Sequence, residues 1–256
     1  MFKVALIGDI HANLPALEAV LVHARQKKVE AIWNLGDFVG YGAYPEETIN
    51  HMRATNAISI VGNYDRKVLK VPRKAVKWKK RMDPDKWLAF KWTYDHLSPA
   101  SREYLGALPE QYRLEAAGLH VMLTHGSPAS LTEHLTPDTP EDRLVTLAEM
   151  AQTDVILCAH SHIPFIRQVG STWFVNPGSV GRPDDGDPRA SYAVLCFQAN
   201  HLEVELQRIT YDTQLAADAS RKALLPRAFA QMILLGRNLD WVAAHVEKHN
   251  AADQTA

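Results

Sequence analysis

The chain has 256 residues, of which 46% are hydrophobic and 22% charged, with a formal net charge of −1. That length supports a large core in a single domain, and near-neutral charge argues against a dedicated nucleic-acid binder, which carries a basic excess. Only two cysteines, Cys158 and Cys196, occur, and no apolar run approaches the roughly 20 residues that cross a bilayer, so a disulfide framework and a membrane span are both disfavoured and a reducing cytoplasm is expected.

The opening "MFKVALIGD" is too short for a signal peptide and is interrupted by Asp9. Residues 2–8 instead read as a strand. "LPALEAVLVHARQKK" follows with helical spacing, and "AIWNLGD" is a second strand. "PEETINHMRAT" starts with proline and acids, as helices do, and "AISIVGN" is a third strand. Strand, helix, strand, helix, strand implies right-handed crossovers and a largely parallel sheet. Each of these strands ends at a glycine followed by a polar residue: Gly8-Asp9, Gly36-Asp37 and Gly62-Asn63. In open α/β sheets the carboxyl ends of the strands line the ligand crevice.

Residues 66–109 are helical in composition and rich in Lys, Arg and Trp. They read as a cap-like insertion within one domain spanning 1–256, either a solvated helical face or a basic cover that attracts an anion. Strand patterns return in "LHVMLTHGSP" and "VILCAHSHIPF", which flank the helix-like "PEDRLVTLAEMAQ". "STWFVNPGSV", "ASYAVLCFQAN" and "HLEVELQRI" suggest an antiparallel run with a turn at Ala199-Asn200. Residues 212–256 form a helical tail, broken near Pro226, with a polar end.

Seven potential metal ligands follow apolar strand-like runs: Asp9, His11, Asp37, Asn63, His125, His160 and His162. Singly, each has an ordinary explanation, such as a satisfied buried histidine or a helix cap. Gathered on one sheet edge, they exceed the needs of one ion that keeps positions open for water and substrate. Two ions sharing one carboxylate fit better. Mixed oxygen and imidazole donors suit Mn, Fe, Zn, Co or Ni, with Mn favoured, over Ca or Mg. Such a pair lowers the pKa of a bridging water and clamps phosphoryl oxygens, which is chemistry for phosphate-ester hydrolysis by metal-activated hydroxide.

The motifs "GDIH", the "GD" at 36–37, "GNYD", "HGSP" and "AHSH" resemble, in order, those of the calcineurin-like metallophosphoesterases, and "NPGSVGRP" is similar to the motif that follows in their small bacterial and archaeal phosphodiesterase branch. The resemblance spans about residues 1–210. It implies an α/β (α+β) fold, a four-layer αββα sandwich of two mixed β-sheets flanked by helices. It also implies that Asp9, His11 and His162 hold one metal and Asn63, His125 and His160 the other, with Asp37 bridging.

One position departs from the family pattern. Many members carry a histidine after the "GN" pair that protonates the leaving oxygen or steadies the phosphate, and here Tyr64 stands there. A phenol is a weaker proton donor at neutral pH than imidazolium, although it can hydrogen-bond a phosphate oxygen. Acidic leaving groups, diesters and anhydrides are therefore the expected substrates, and Asp37, Asn63, Tyr64 and Asp65 the expected catalytic set. Asp65 resembles the family acid that orients the histidine, but capping the following helix is an equal alternative. Asn176, Gly178 and Ser179 read as a tight structural loop. Arg182 and Arg189 are candidate phosphate contacts, with surface salt bridging the plainer use. In the insertion, Lys67, Arg73, Lys74 and Trp78 could meet a phosphate and a base. His96 and His134 lack strand-end placement and read as ordinary. The expected partner is a small phosphoester or nucleotide. A Ser/Thr-type protein phosphatase and a metal-binding nucleotide sensor of little activity are the alternative readings.

Overall fold

In the computed structural model, which describes residues 1–245, β1 (Phe2–Ile7), α1 (Leu14–Gln26), β2 (Ala31–Asn34), α2 (Pro45–Ala54) and β3 (Ile58–Ser59) follow one another as two parallel crossovers. β3 is shorter than the run 57–63 suggests. Beyond Ile60, whose N–H still donates to Asn34 O (3.0 Å), the chain leaves β2: Val61 N–H donates to Pro109 O (2.9 Å), and Asn63 already opens α3 (Asn63–Leu69). The insertion is helical, with α4 (Val71–Arg81), α5 (Pro84–Asp95) and α6 (Pro99–Ala107).

A second sheet is built from β4 (Gln111–Ala116), β5 (Leu119–Thr124), β6 (Val155–Leu157), β7 (Phe165–Val169) and β8 (Thr172–Asn176), with α7 (Glu141–Ala151) crossing between β5 and β6. Sequence spacing did not anticipate β4. It also ran 155–165 together as one strand, whereas β6 stops at Leu157 and the loop bearing His160 and His162 separates it from β7. β8 lies parallel to β6 and antiparallel to β7. β9 (Ala190–Gln198) and β10 (His201–Ile209) pair antiparallel about the Ala199-Asn200 turn, as expected, but they belong to the first sheet, in the order β10-β9-β1-β2-β3, so the inclusion of β8 in that antiparallel run is corrected. α8 (Thr213–Lys222) and α9 (Arg227–Leu235) complete the chain, broken at Pro226, and residues 239–245 are helical. The last part of the expected tail, 246–256, lies outside the described residues.

Alternation along the strands creates the layers. Val4 and Leu6 of β1, with Trp33 and Leu195, face Val121, Leu123, Leu157 and Val175 of the second sheet. Ala5 and Ile7 face the other way, onto Leu17 and Val20 of α1 and Ile49 and Met52 of α2. The outer face of the second sheet buries Met122, Ile156 and Phe174 against Leu144 and Leu147 of α7. The result is helix, sheet, sheet, helix, and the carboxyl ends of β1, β2, β3, β5, β6 and β8 open onto one edge.

Candidate metal centre

All seven predicted ligands meet at that edge. One ligand atom each from Asp9, His11 and His162 lies within 4.8 Å of the others, and the same holds for Asp37, His125 and His160. Within the first group His11 Nε2 stands 3.3 Å from His162 Nε2, and Asp9 Oδ1 is 3.4 Å from His162 Nε2. In the second, His125 Nε2 is 3.4 Å from Asp37 Oδ2 and 2.9 Å from Asn63 Oδ1. Asp37 Oδ2 also reaches to 3.8 Å from His11 Nε2, so this one oxygen faces both groups.

Several observations fit a pair of cations at this place. Asp9 Oδ1 and Asp37 Oδ2 are buried without any hydrogen-bond donor. A buried carboxylate oxygen left bare costs several kcal/mol in general, and a cation placed here would satisfy it. Two donors on one zinc-like ion, each at roughly 2.0–2.2 Å, end up roughly 3–4 Å apart, the spacing found here. The rings are held from behind: His125 Nδ1 bonds Leu35 O (2.7 Å), and His162 Nδ1 bonds Arg182 O, which leaves Nε2 of each turned to the cluster. Burial opposes the charge on Asp9, yet His162 outweighs it and holds the carboxyl well below the usual range. Burial also works against a charged His125, but Asp37 lifts its pKa to about 9. The donor set therefore attracts positive charge at its centre.

How the loops deliver these side chains was not visible in the sequence. Asp9, His11, Asp37, His160 and His162 have φ of 52°, 50°, 53°, 67° and 59°, in the left-handed region. Non-glycine residues adopt it at a cost of about 1–2 kcal/mol each, which functional geometry commonly imposes. Gly8, at the end of the first strand-like run, has no positive φ. A Cβ there would press on Leu35 and Ala159 Cβ atoms at 3.2 and 3.3 Å, so its smallness serves the approach of the two sheets. The strained loops are braced across strands. Asp9 N–H donates to Gly36 O and His11 N–H to Asp37 O, both at 3.0 Å. Ser179 Oγ donates to Asp9 O (2.7 Å) and Asn176 Nδ2 to Ala159 O (3.0 Å), the structural use expected of "NPGS". Asn13 caps α1 through Ala16 N–H.

Asp65 is fully buried and accepts from Asp37 N–H (2.9 Å), Val39 N–H (3.3 Å) and Gly62 N–H (3.0 Å). It both caps α3 and ties the Asp37 loop to it. Tyr64 N–H donates to Asp37 Oδ1 (2.7 Å), and the Tyr64 ring stands edge-on to His11 with centroids 5.1 Å apart.

The weaker candidates separate. Arg182 is half-buried, its guanidinium 4.8 Å from the Tyr41 ring centroid and 5.4 Å from that of Tyr64, so the surface salt bridge is corrected for this residue. Arg189, by contrast, is exposed and pairs with Asp187. Lys67 lies over the Tyr64 ring at 4.9 Å. Arg73 lines a different cavity of about 440 Å³, beside Arg66, Lys70 and Leu105. Lys74 is exposed, and Trp78 packs toward Phe90, centroids 6.1 Å apart. Of two further residues near the centre, Tyr41 went unnoticed in the sequence and His134 was set aside as ordinary. Tyr41, on the glycine-flanked loop after Asp37, hydrogen-bonds Tyr64 hydroxyl to hydroxyl (3.1 Å). His134 sits 4.2 Å, centroid to centroid, from His160, and nothing around it in the chain marks it.

Comparison with known proteins agrees with this geometry. A family model described as the calcineurin-like phosphoesterase superfamily domain matches residues 2–200. A Methanocaldococcus jannaschii protein is 32% identical over 91% of this chain and 98% of its own length. The phosphodiesterase YfcE of Escherichia coli is 31% identical over 76% of this chain and 88% of its own. Among solved structures, a metallophosphoesterase from Sphaerobacter thermophilus is 29% identical with a TM-score of 0.75, covering 92% of this chain and 99% of that one. A Pyrococcus horikoshii protein shares the fold with a TM-score of 0.84 at 24% identity over the same shares.

Proposed function

The chain belongs to the calcineurin-like phosphoesterase superfamily, metal-dependent hydrolases of phosphoric ester bonds, and on that premise we propose that it cleaves phosphodiester- or nucleotide-type substrates at a two-metal centre. Asp9, His11 and His162 would hold one ion, and Asn63, His125 and His160 the other, with Asp37 shared. The observation that carries this reading is Asp37 Oδ2, buried, without a donor, and facing His125 at 3.4 Å and His11 at 3.8 Å. Manganese is the ion we favour, and iron, zinc, nickel or cobalt also suit oxygen and imidazole donors. When bound, two such ions supply Lewis acidity and a water of lowered pKa.

The chain's own residues do the rest. Asp65 positions Asp37 through the backbone, and Tyr64 N–H fixes its second oxygen. The Tyr64 hydroxyl offers a hydrogen bond beside the centre in place of an imidazolium. Residues 66–109 serve as a cap together with the tail. Tyr41 is packed among Ala89 of α5, Phe229 of α9 and Leu239, and Lys86 of α5 pairs with Asp240 (2.7 Å).

The test is turnover of bis-p-nitrophenyl phosphate by protein stripped with a chelator and reloaded with single divalent ions. Activity is expected to vanish on stripping and return with manganese; no turnover with any ion would refute the proposal. Reloading at roughly 100 times Kd should also raise Tm by about 5–10 °C.

A second expectation concerns Tyr64. Its substitution by histidine should flatten the dependence of kcat on leaving-group pKa, speeding alkyl phosphates by about tenfold to a hundredfold and leaving p-nitrophenyl phosphate nearly unchanged. Parallel dependence in both proteins would show that Tyr64 has no part in leaving-group departure.

A further inference from the structure

Arg182 is a half-buried cation in aromatic company. Its guanidinium carbon is 4.8 Å from the Tyr41 ring and 5.4 Å from the Tyr64 ring, and Tyr64 in turn abuts His11. Its Nε is buried without a hydrogen-bond partner. The acid nearest in sequence, Asp184, instead accepts from Asn238 N–H at Oδ1 (2.8 Å) and from Asn238 Nδ2 at Oδ2 (2.6 Å). The other end of Arg182 is fixed, since its N–H donates to Ser179 Oγ (2.8 Å) and its carbonyl receives His162. Burial opposes the guanidinium charge, yet Tyr64, which also takes a side-chain hydrogen bond from it, Tyr41 and the more distant Asp184 keep it above its ordinary pKa. A desolvated cation that pairs with no carboxylate is costly unless an anion arrives to meet it. A guanidinium fork matches phosphate oxygens in a bidentate way.

Resting on the phosphohydrolase reading above, we propose that Arg182 binds a second phosphate of the substrate, carried by the leaving group, so that the substrates are nucleotides with two or more linked phosphates. The occupant of position 64 fits this role. A leaving phosphate is a weak base and departs as an anion, needing a positive charge nearby more than a proton, and Tyr64 stands where an imidazole donor would otherwise be. In the step itself a water oxygen bonds the scissile phosphorus as the bond to the bridging oxygen breaks. The leaving phosphate departs with that electron pair and is held by Arg182, and the proton of the water passes to solvent.

Equilibrium binding tests this without turnover. Manganese-loaded protein is titrated calorimetrically with adenosine 5′-(α,β-methylene)diphosphate, which resists hydrolysis, and with AMP. The diphosphate should bind about 10- to 100-fold more tightly than AMP in the wild type, by the worth of hydrogen bonds to a charged group. Arg182→Met should erase that difference and leave manganese affinity unchanged, whereas Arg182→Lys should retain part of it. Equal affinities in the wild type, or a preference that survives Arg182→Met, would overturn the assignment even where hydrolysis proceeds normally. Conversely, a preference lost in Arg182→Met in a protein that hydrolyses nothing would uphold the Arg182 contact and refute the hydrolytic reading.

Discussion

Asp37→Asn is expected to lower kcat on bis-p-nitrophenyl phosphate by about 10³-fold or more while the protein stays folded. The side chain keeps its shape, and Oδ1 can still accept from Tyr64 N–H at 2.7 Å. What disappears is the negative charge on Oδ2, the oxygen that faces His125 and His11 together. The sign of the stability change in the metal-free protein follows from its neighbours. Burial opposes the charge on Asp37, yet His125 outweighs it and holds the carboxyl below its usual range, so neutralising Asp37 loses a favourable pairing that outweighs the relief of its repulsion with Asp65. At neutral pH metal-free Asp37→Asn should therefore melt below the wild type, and the rise in Tm on adding manganese should also shrink. Thermal melts with and without the ion check this beside the kinetics. Turnover within tenfold of the wild type would mean that Asp37 is not the shared ligand.

The seven candidate ligands were legible because each follows an apolar run, and chemistry at the carboxyl ends of strands is a consequence of α/β topology. Their aim was not. Sequence gives no sign that Asp9, His11, Asp37, His160 and His162 take left-handed backbone, since no glycine occupies those positions. The braces that hold them there, from Gly36 O, Asp37 O and Ser179, come from other strands. β4 was missed because "QYRLEA" lies at a sheet edge and buries little beyond Ala116. β7 was merged with β6 because the ligand loop between them is itself apolar in part, with Ala159 and Ile163. Arg182 looked like a surface cation because everything that buries it, Tyr41, Tyr64 and the tail behind them, comes from distant segments. Local pattern identifies donors; only tertiary packing identifies a desolvated charge.

Gly62→Ala should be among the most damaging single-methyl additions in the molecule. Gly62 has φ −93° and ψ 175°, which any residue adopts, so no backbone strain is involved. The cost is contact. A Cβ would fall 2.0 Å from Asp37 Oδ1, 2.2 Å from Asp37 N and 2.7 Å from Asp37 Cγ. None of these is the loose end of a flexible chain. Oδ1 is pinned by Tyr64 N–H, and Asp37 N–H is pinned by Asp65. The Asp37 loop must therefore shift as a whole, and it carries the carboxylate proposed to be shared. Overpacking of a rigid site costs about 3 kcal/mol here, at the upper end of the usual range, which lowers Tm by about 6–12 °C. Gly170→Ala is the matched control. Gly170 turns between β7 and β8 with φ +58°, and a Cβ there meets nothing within 4 Å. It should lose only the left-handed penalty of about 1–2 kcal/mol and keep full manganese affinity. Gly62→Ala should lose manganese affinity together with stability. Were the two variants to melt alike and load metal alike, the close approach of the α3 N-terminus to the Asp37 loop would not be what fixes the shared ligand.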